Sequence, residues 1–187
     1  MTALPFVYKS AGLLVWGKSQ GELTNDRLAL EGRVERKLSA VTALFGQVQY
    51  LRDSFKSIDY LISPTAGLSR LLLKDDRTEV SVDGAIGLVW EANPGLDVDA
   101  DGAVTVGQQA ARKLTVTTEL RQKAAALWKM DDFGDGLYTF GVGLAASMTA
   151  ATQMKFEFLD TYKAQPPLPG VQKNDIAVLL SFVYKID

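Results

Sequence analysis

Three carboxylates fall at alternate positions in LDVDADGAVTVGQ: Asp97, Asp99 and Asp101, with Gly102 next. Hard oxygens at that spacing before a glycine are how a calcium loop opens. The twelfth position, which should carry a bidentate Glu, is Gln108, so the pattern is incomplete. The competing reading is a solvated acidic loop and no cofactor at all. A second acidic run, Asp131, Asp132 and Asp135 between glycines, has the makings of a carboxylate pair, but reads equally well as a loop. No histidine and no cysteine are present. That excludes Ser-His-Asp triads, histidine or thiolate metal sites, disulfides and the usual general base at neutral pH. The expectation is therefore not an enzyme.

A larger set of charges recurs with a two-residue period. It comprises Arg27, Glu31, Arg33 and Glu35, then Glu79 and Asp83, then Glu119 and Arg121, then Lys155 and Glu157, and finally Lys185. A period of two is the signature of a β-strand with unlike faces. In TEVSVDGAIGLVWE, for example, Val80, Val82, Ile86, Leu88 and Trp90 alternate with Glu79, Ser81, Asp83 and Glu91. The same alternation marks ten candidate strands, over residues 10–19, 27–36, 42–51, 60–71, 78–91, 103–113, 114–127, 136–147, 152–162 and 175–187. KAAAL, within the seventh, favours helix locally, but the β-branched LTVTTEL beside it favours strand.

Short links near 37–41, 72–77, 112–114 and 148–151 alternate with long polar ones near 20–26, 52–59, 92–102, 128–135 and 163–174. That is the layout of an all-β, up-and-down antiparallel transmembrane β-barrel of about ten strands, spanning residues 1–187 as one domain. In such a barrel the apolar faces look at lipid and the charges crowd a narrow lumen. Aromatics near strand ends (Tyr50, Trp90, Tyr138, Tyr162, Tyr184) suit the water–lipid boundary. Small residues on the polar faces, such as Ser63, Thr65, Gly67, Gly141 and Gly143, suit a crowded interior. The alternative is a soluble lipocalin-like ligand-binding barrel with the faces reversed. Ten strands lie nearer the eight that side chains fill than the sixteen that leave a channel. The charges therefore read as a paired plug first and a solute path second.

The net charge of −2 suggests no nucleic-acid partner. No apolar run is long enough for a transmembrane helix, and MTALPFVYKS lacks the layout of a signal peptide.

Residues 152–186, TQMKFEFLDTYKAQPPLPGVQKNDIAVLLSFVYKI, join an alternating strand to a Pro-rich loop and a closing strand ending Val-Tyr-Lys. Residues 60–91 form a hairpin with a Gly-rich return strand ending Trp-Glu. Together these resemble the salt-induced outer-membrane protein family, a bacterial domain of unknown function. The resemblance implies an outer-membrane barrel of unassigned activity with no catalytic residues to transfer. Its partners would be the lipid bilayer, or detergent in its place, and the barrel-assembly machinery during biogenesis. The family tends to finish on an aromatic residue, whereas this chain finishes Ile186–Asp187.

Overall fold

Alternating β-branched and aromatic residues produce one antiparallel sheet of ten strands. The computed structural model describes residues 6–19, 22–149, 152–168 and 170–184, and of 17–19, 22–25 and 181–184 only the backbone. The strands are β1 (Phe6–Ser19), β2 (Glu22–Lys37), β3 (Thr42–Asp53), β4 (Ile58–Lys74), β5 (Thr78–Ala92), β6 (Asp99–Lys113), β7 (Thr118–Lys129), β8 (Gly136–Ser147), β9 (Thr152–Lys163) and β10 (Asn174–Tyr184). Each pairs with its sequence neighbours, in the order β1 to β10. The sheet curls until β2 and β9 meet across the interior, where the Arg27 Nη1 donates to Thr161 Oγ1 at 2.6 Å. Among the described residues β1 and β10 are the two edges.

Four tight turns sit at one end. Three share a sequence pattern, Leu38-Ser39-x-x-Thr42, Leu114-Thr115-x-x-Thr118 and Met148-Thr149-x-x-Thr152. In each, the amide of the first residue donates to the carbonyl of the last at 2.9 Å. The hydroxyl of the second accepts the amide of that last threonine: Ser39 Oγ from Thr42 at 3.0 Å, Thr115 Oγ1 from Thr118 at 2.9 Å, Thr149 Oγ1 from Thr152 at 3.0 Å. Asp75 does the same for Thr78 at 2.6 Å. The side chain stands in for a ladder acceptor and fixes the hairpin register. This motif ends β6 at Lys113 and starts β7 at Thr118, so 114–117 is a turn where the alternation suggested strand.

The opposite end carries the connections 54–57, 93–98, 130–135 and 164–173. The long link read over 20–26 is not long: β2 already starts at Glu22, because these strands rise past the rest of the sheet. Asp53 turns β3 into a short 3-10 helix, Ser54–Lys56, by accepting the amides of Phe55 and Lys56 at 3.1 and 3.2 Å. Pro64 lies inside β4, between β3 and β5. Lacking an N–H, it interrupts the ladder between the pairs Ile62↔Trp90 and Thr65↔Gly87. The buried Ser63 hydroxyl repairs the gap by donating to the Leu88 carbonyl at 2.9 Å.

Candidate functional site

Residue parity separates the faces along the regular parts of the strands. Odd-numbered side chains point to the concave side, and the charged ones meet partners on their own strand, on the next one or across the interior. Lys123 of β7 reaches Glu31 of β2 at 3.1 Å, and Arg33 of β2 lies 3.8 Å from Asp83 of β5. Even-numbered side chains, such as Leu30, Val48, Leu68, Ile86, Phe156 and Val178, are exposed on the convex side. A soluble lipocalin-like barrel requires the reverse arrangement.

The interior divides into two halves. Towards the tight turns it is charged and partly open. Arg33 holds the centre: its Nε lies 2.7 Å from Glu35, its Nη1 donates to Gln47 at 3.1 Å, and its guanidinium lies 3.5 Å above the Phe45 ring. Lys9 joins Glu35 at 2.8 Å. Below it, Arg121 pairs with Glu119 at 2.9 Å, Lys155 with Glu157 at 2.6 Å and Lys74 with Glu79 at 2.6 Å. These last three pairs border a cavity of about 490 Å³ that also takes in Ser81, Gln109 and Lys123. Residues singled out from spacing thus fall on one face and pair with opposite charges. Lys185 and the terminal Ile186–Asp187 lie outside the described residues.

Towards the long loops the interior is filled. Leu51, Ile58, Leu61, Val89 and Ala103 form an apolar cluster inside the curl. Above it lies a group that spacing does not bring together, although Asp99 and Asp135 belong to the two acidic runs. Glu91, 1 % exposed, accepts from Lys163 at 3.0 and 2.9 Å and lies 2.9 Å from Lys129. Asp135 lies 2.9 Å from Lys129 and 3.1 Å from Lys163, and Asp99 lies 2.7 Å from Lys129. Two ammoniums and three carboxylates from β5, β6, β7, β9 and the 130–135 connection thus meet in one place. Beside them Arg27 lies 3.8 Å from Asp53. The buried Lys56 Nζ donates to the carbonyls of Gln172 and Lys173 at 3.3 and 3.0 Å, tying the last long loop down. Burial pushes the Lys56 ammonium below its ordinary range, against the raising pull of Asp175 and Asp53.

The aspartates proposed for calcium are divided among other partners. Asp99 serves Lys129, and Asp101 accepts the amide of Asp131 at 3.1 Å. Among the described residues no group of three or more acidic side chains is arranged to hold a metal ion. Hydrogen bonding to Asp101 raises the Asp131 carboxyl above the usual range.

The model of the family described as "Protein of unknown function, DUF481" matches residues 6–186. The chain belongs to the DUF481 family. No curated protein matches it. Among solved structures, one described as "NanC porin structure in rhombohedral crystal form" superposes with a TM-score of 0.57 at 13 % identity, covering 99 % of this chain and 96 % of that one. At that identity the likeness is one of fold, and the fold is that of a porin-like barrel. This DUF481 chain is thus all-β, antiparallel and up-and-down, as its alternation implied. No described helix is long and apolar enough to cross a membrane, which leaves crossing by strands open.

Proposed function

We propose that this DUF481 protein is a bacterial outer-membrane β-barrel without enzymatic activity, closed at its long-loop end. The observation that carries the reading is the inversion of faces: aliphatic side chains cover the convex surface while charges pair across the interior. In water that outer surface would be a large continuous apolar patch; in a bilayer it is the lipid-facing belt. Trp16, Tyr50, Trp90, Trp128, Tyr138 and Tyr162 all take the outward parity near the long-loop end. Trp128 Nε1 donates to Tyr138 at 2.8 Å, as an interfacial girdle does. On β4 ten residues separate Tyr60 from Arg70. At about 3.3 Å per residue and a tilt of about 40° they span about 25 Å of membrane normal, the height of such a belt.

The tight turns then face the periplasm and the long loops the outside. The apolar cluster and the Glu91 group stop the passage under the loops, and the charged cavity opens towards the turns. The resting molecule is a closed cup rather than a diffusion pore. Its biogenesis partner is the barrel-assembly machinery and its surroundings are lipid. The test is refolding into vesicles, with gel mobility read before and after boiling and conductance read in a planar bilayer. Heat-shifted mobility, flotation with vesicles and no open-channel steps at low voltage are expected. Unchanged mobility with a soluble monomer in the absence of detergent would refute the membrane reading. Steady ohmic conductance would refute the closed one.

A further inference from the structure

The aliphatic outer face is interrupted by basic residues towards the tight-turn end. Arg36, Arg70 and Arg112 take the outward parity on β2, β4 and β6, within five residues of the tight turns that follow those strands. All three are exposed. Their cross-strand neighbours are Phe6 and Leu44 for Arg36, Thr42 and Val82 for Arg70, and Thr78 and Leu120 for Arg112. None of these is an acid. Arg52, the outward arginine at the long-loop end, is different: its guanidinium is 2.7 Å from Asp26. Among the described residues Arg36 and Arg70 have no carboxylate neighbour in an ion pair, and Arg112 feels only the more distant Asp75 carboxylate of the preceding turn.

We infer that Arg36, Arg70 and Arg112 dock the phosphate headgroups of glycerophospholipids in the leaflet at the tight-turn end. The inference rests on the membrane reading above. A long side chain rooted in an apolar belt lays its stem along the acyl chains and carries its charge to the interface. A guanidinium presents a fork of donors that matches a phosphate better than an ammonium does. The three arginines stand on every second strand and are staggered by two and then four residues along them, which spaces their Cα atoms about 12 and 17 Å apart, so neighbouring ones engage separate headgroups. The turn tips beyond them, with Leu38 and Leu114 exposed, then sit within the headgroup layer. Charge complementarity commits this surface to anionic lipid at one end only, since Arg52 at the other end is already neutralised by Asp26.

The experiment reconstitutes the full chain in vesicles containing phosphatidylglycerol, extracts it in mild detergent and counts retained phosphatidylglycerol by native mass spectrometry. Each arginine contributes about a fivefold change in lipid affinity, about 1 kcal/mol for a basic group at an anionic surface. The R36Q/R70Q/R112Q variant should therefore hold phosphatidylglycerol about fivefold less tightly at each of three sites, and R70Q alone at one of them. R52Q should match the wild type. Single R36Q, R70Q and R112Q chains carry the comparison where the triple variant does not refold. Equal retention by the glutamine variants overturns the inference while leaving the membrane reading intact. A wild-type chain that neither floats with vesicles nor shifts on boiling overturns both.

Discussion

Replacing Glu91 by Gln removes a charge without removing volume, at the place where the interior is most tightly coupled. Lys163 loses the partner that held it at 2.9 and 3.0 Å and keeps Asp135 at 3.1 Å. Lys129 keeps Asp99 at 2.7 Å and Asp135 at 2.9 Å. Removing one member of a buried pair ordinarily costs about 3–5 kcal/mol, because the other charge is stranded. The retained Asp135 offsets part of that, so E91Q should lose about 3 kcal/mol, a factor of about 150 in the folding equilibrium. The assay is urea unfolding of the refolded chain in detergent micelles, followed by tryptophan fluorescence. A second arm separates lost charge from lost packing. E91L/K163L removes both partners beside Leu127 and Val89, which line the same interior, and should cost less than the two single changes summed. An E91Q chain within about 0.5 kcal/mol of the wild type would refute the reasoning. A double variant as costly as the sum of its singles would do the same.

Further expectations follow from other parts of the fold. Ile86 lies mid-belt on β5 and is 64 % exposed. I86R should cost about 2–4 kcal/mol in vesicles if that face meets lipid, against about 0.5 kcal/mol at most for a water-facing site; the readout is the same unfolding titration. A Cβ on Gly87 would collide with the Pro64 carbonyl of the adjacent strand, whereas one on Gly32 meets nothing within 4 Å. G87A should therefore destabilise by about 1–3 kcal/mol and G32A hardly at all, as urea midpoints will show. The amides of Arg77 and Thr78 hold the Asp75 carboxyl below its usual range. A group whose folded pKa is depressed adds stability above the unfolded carboxylate range, and that stability fades as pH falls through the folded pKa. The D75N chain should therefore show a shallower loss of stability on acidification than the wild type, while D75A lowers the urea midpoint already at pH 7.

Much of this architecture could be read from alternation because lipid and lumen demand opposite chemistry on successive residues. Arg33 and Glu35, or Lys155 and Glu157, announce a concave face simply by sharing parity with their neighbours. The Glu91 group was harder to see. Glu91 was read on the polar face of its strand, but Lys129 and Lys163 sit at strand ends, where alternation dissolves into loop composition. Their partners are brought close by register and curl rather than by spacing: 72 residues separate Lys163 from Glu91. Carrying the odd parity one step past each apparent strand end would have placed all three inside. The acidic run weighed as a calcium loop is divided for a related reason. Extended backbone sets Asp99 and Asp101 side by side but leaves each to a different neighbour, Lys129 and Asp131. Ile58 is even-numbered yet 1 % exposed, because the register shifts between Leu51 and Asp53 and reverses the parity beyond it. The turn pattern at Ser39, Thr115 and Thr149 was legible in principle as a repeated five-residue word, hidden by the variety of the strands around it.

Because every strand pairs only with its sequence neighbours, width is the one dimension this design can change in discrete steps. Splicing in another hairpin, with one more Ser/Thr-closed turn, would widen the sheet by two strands and replace one ladder while leaving the others untouched. The ion pairs that bridge Glu91 to Lys163 and Glu31 to Lys123 would not survive it, since a side chain's reach does not grow with the ring. These interior bridges thus act as callipers. They set an upper limit on how far the cylinder can widen before its inside must fill with solvent.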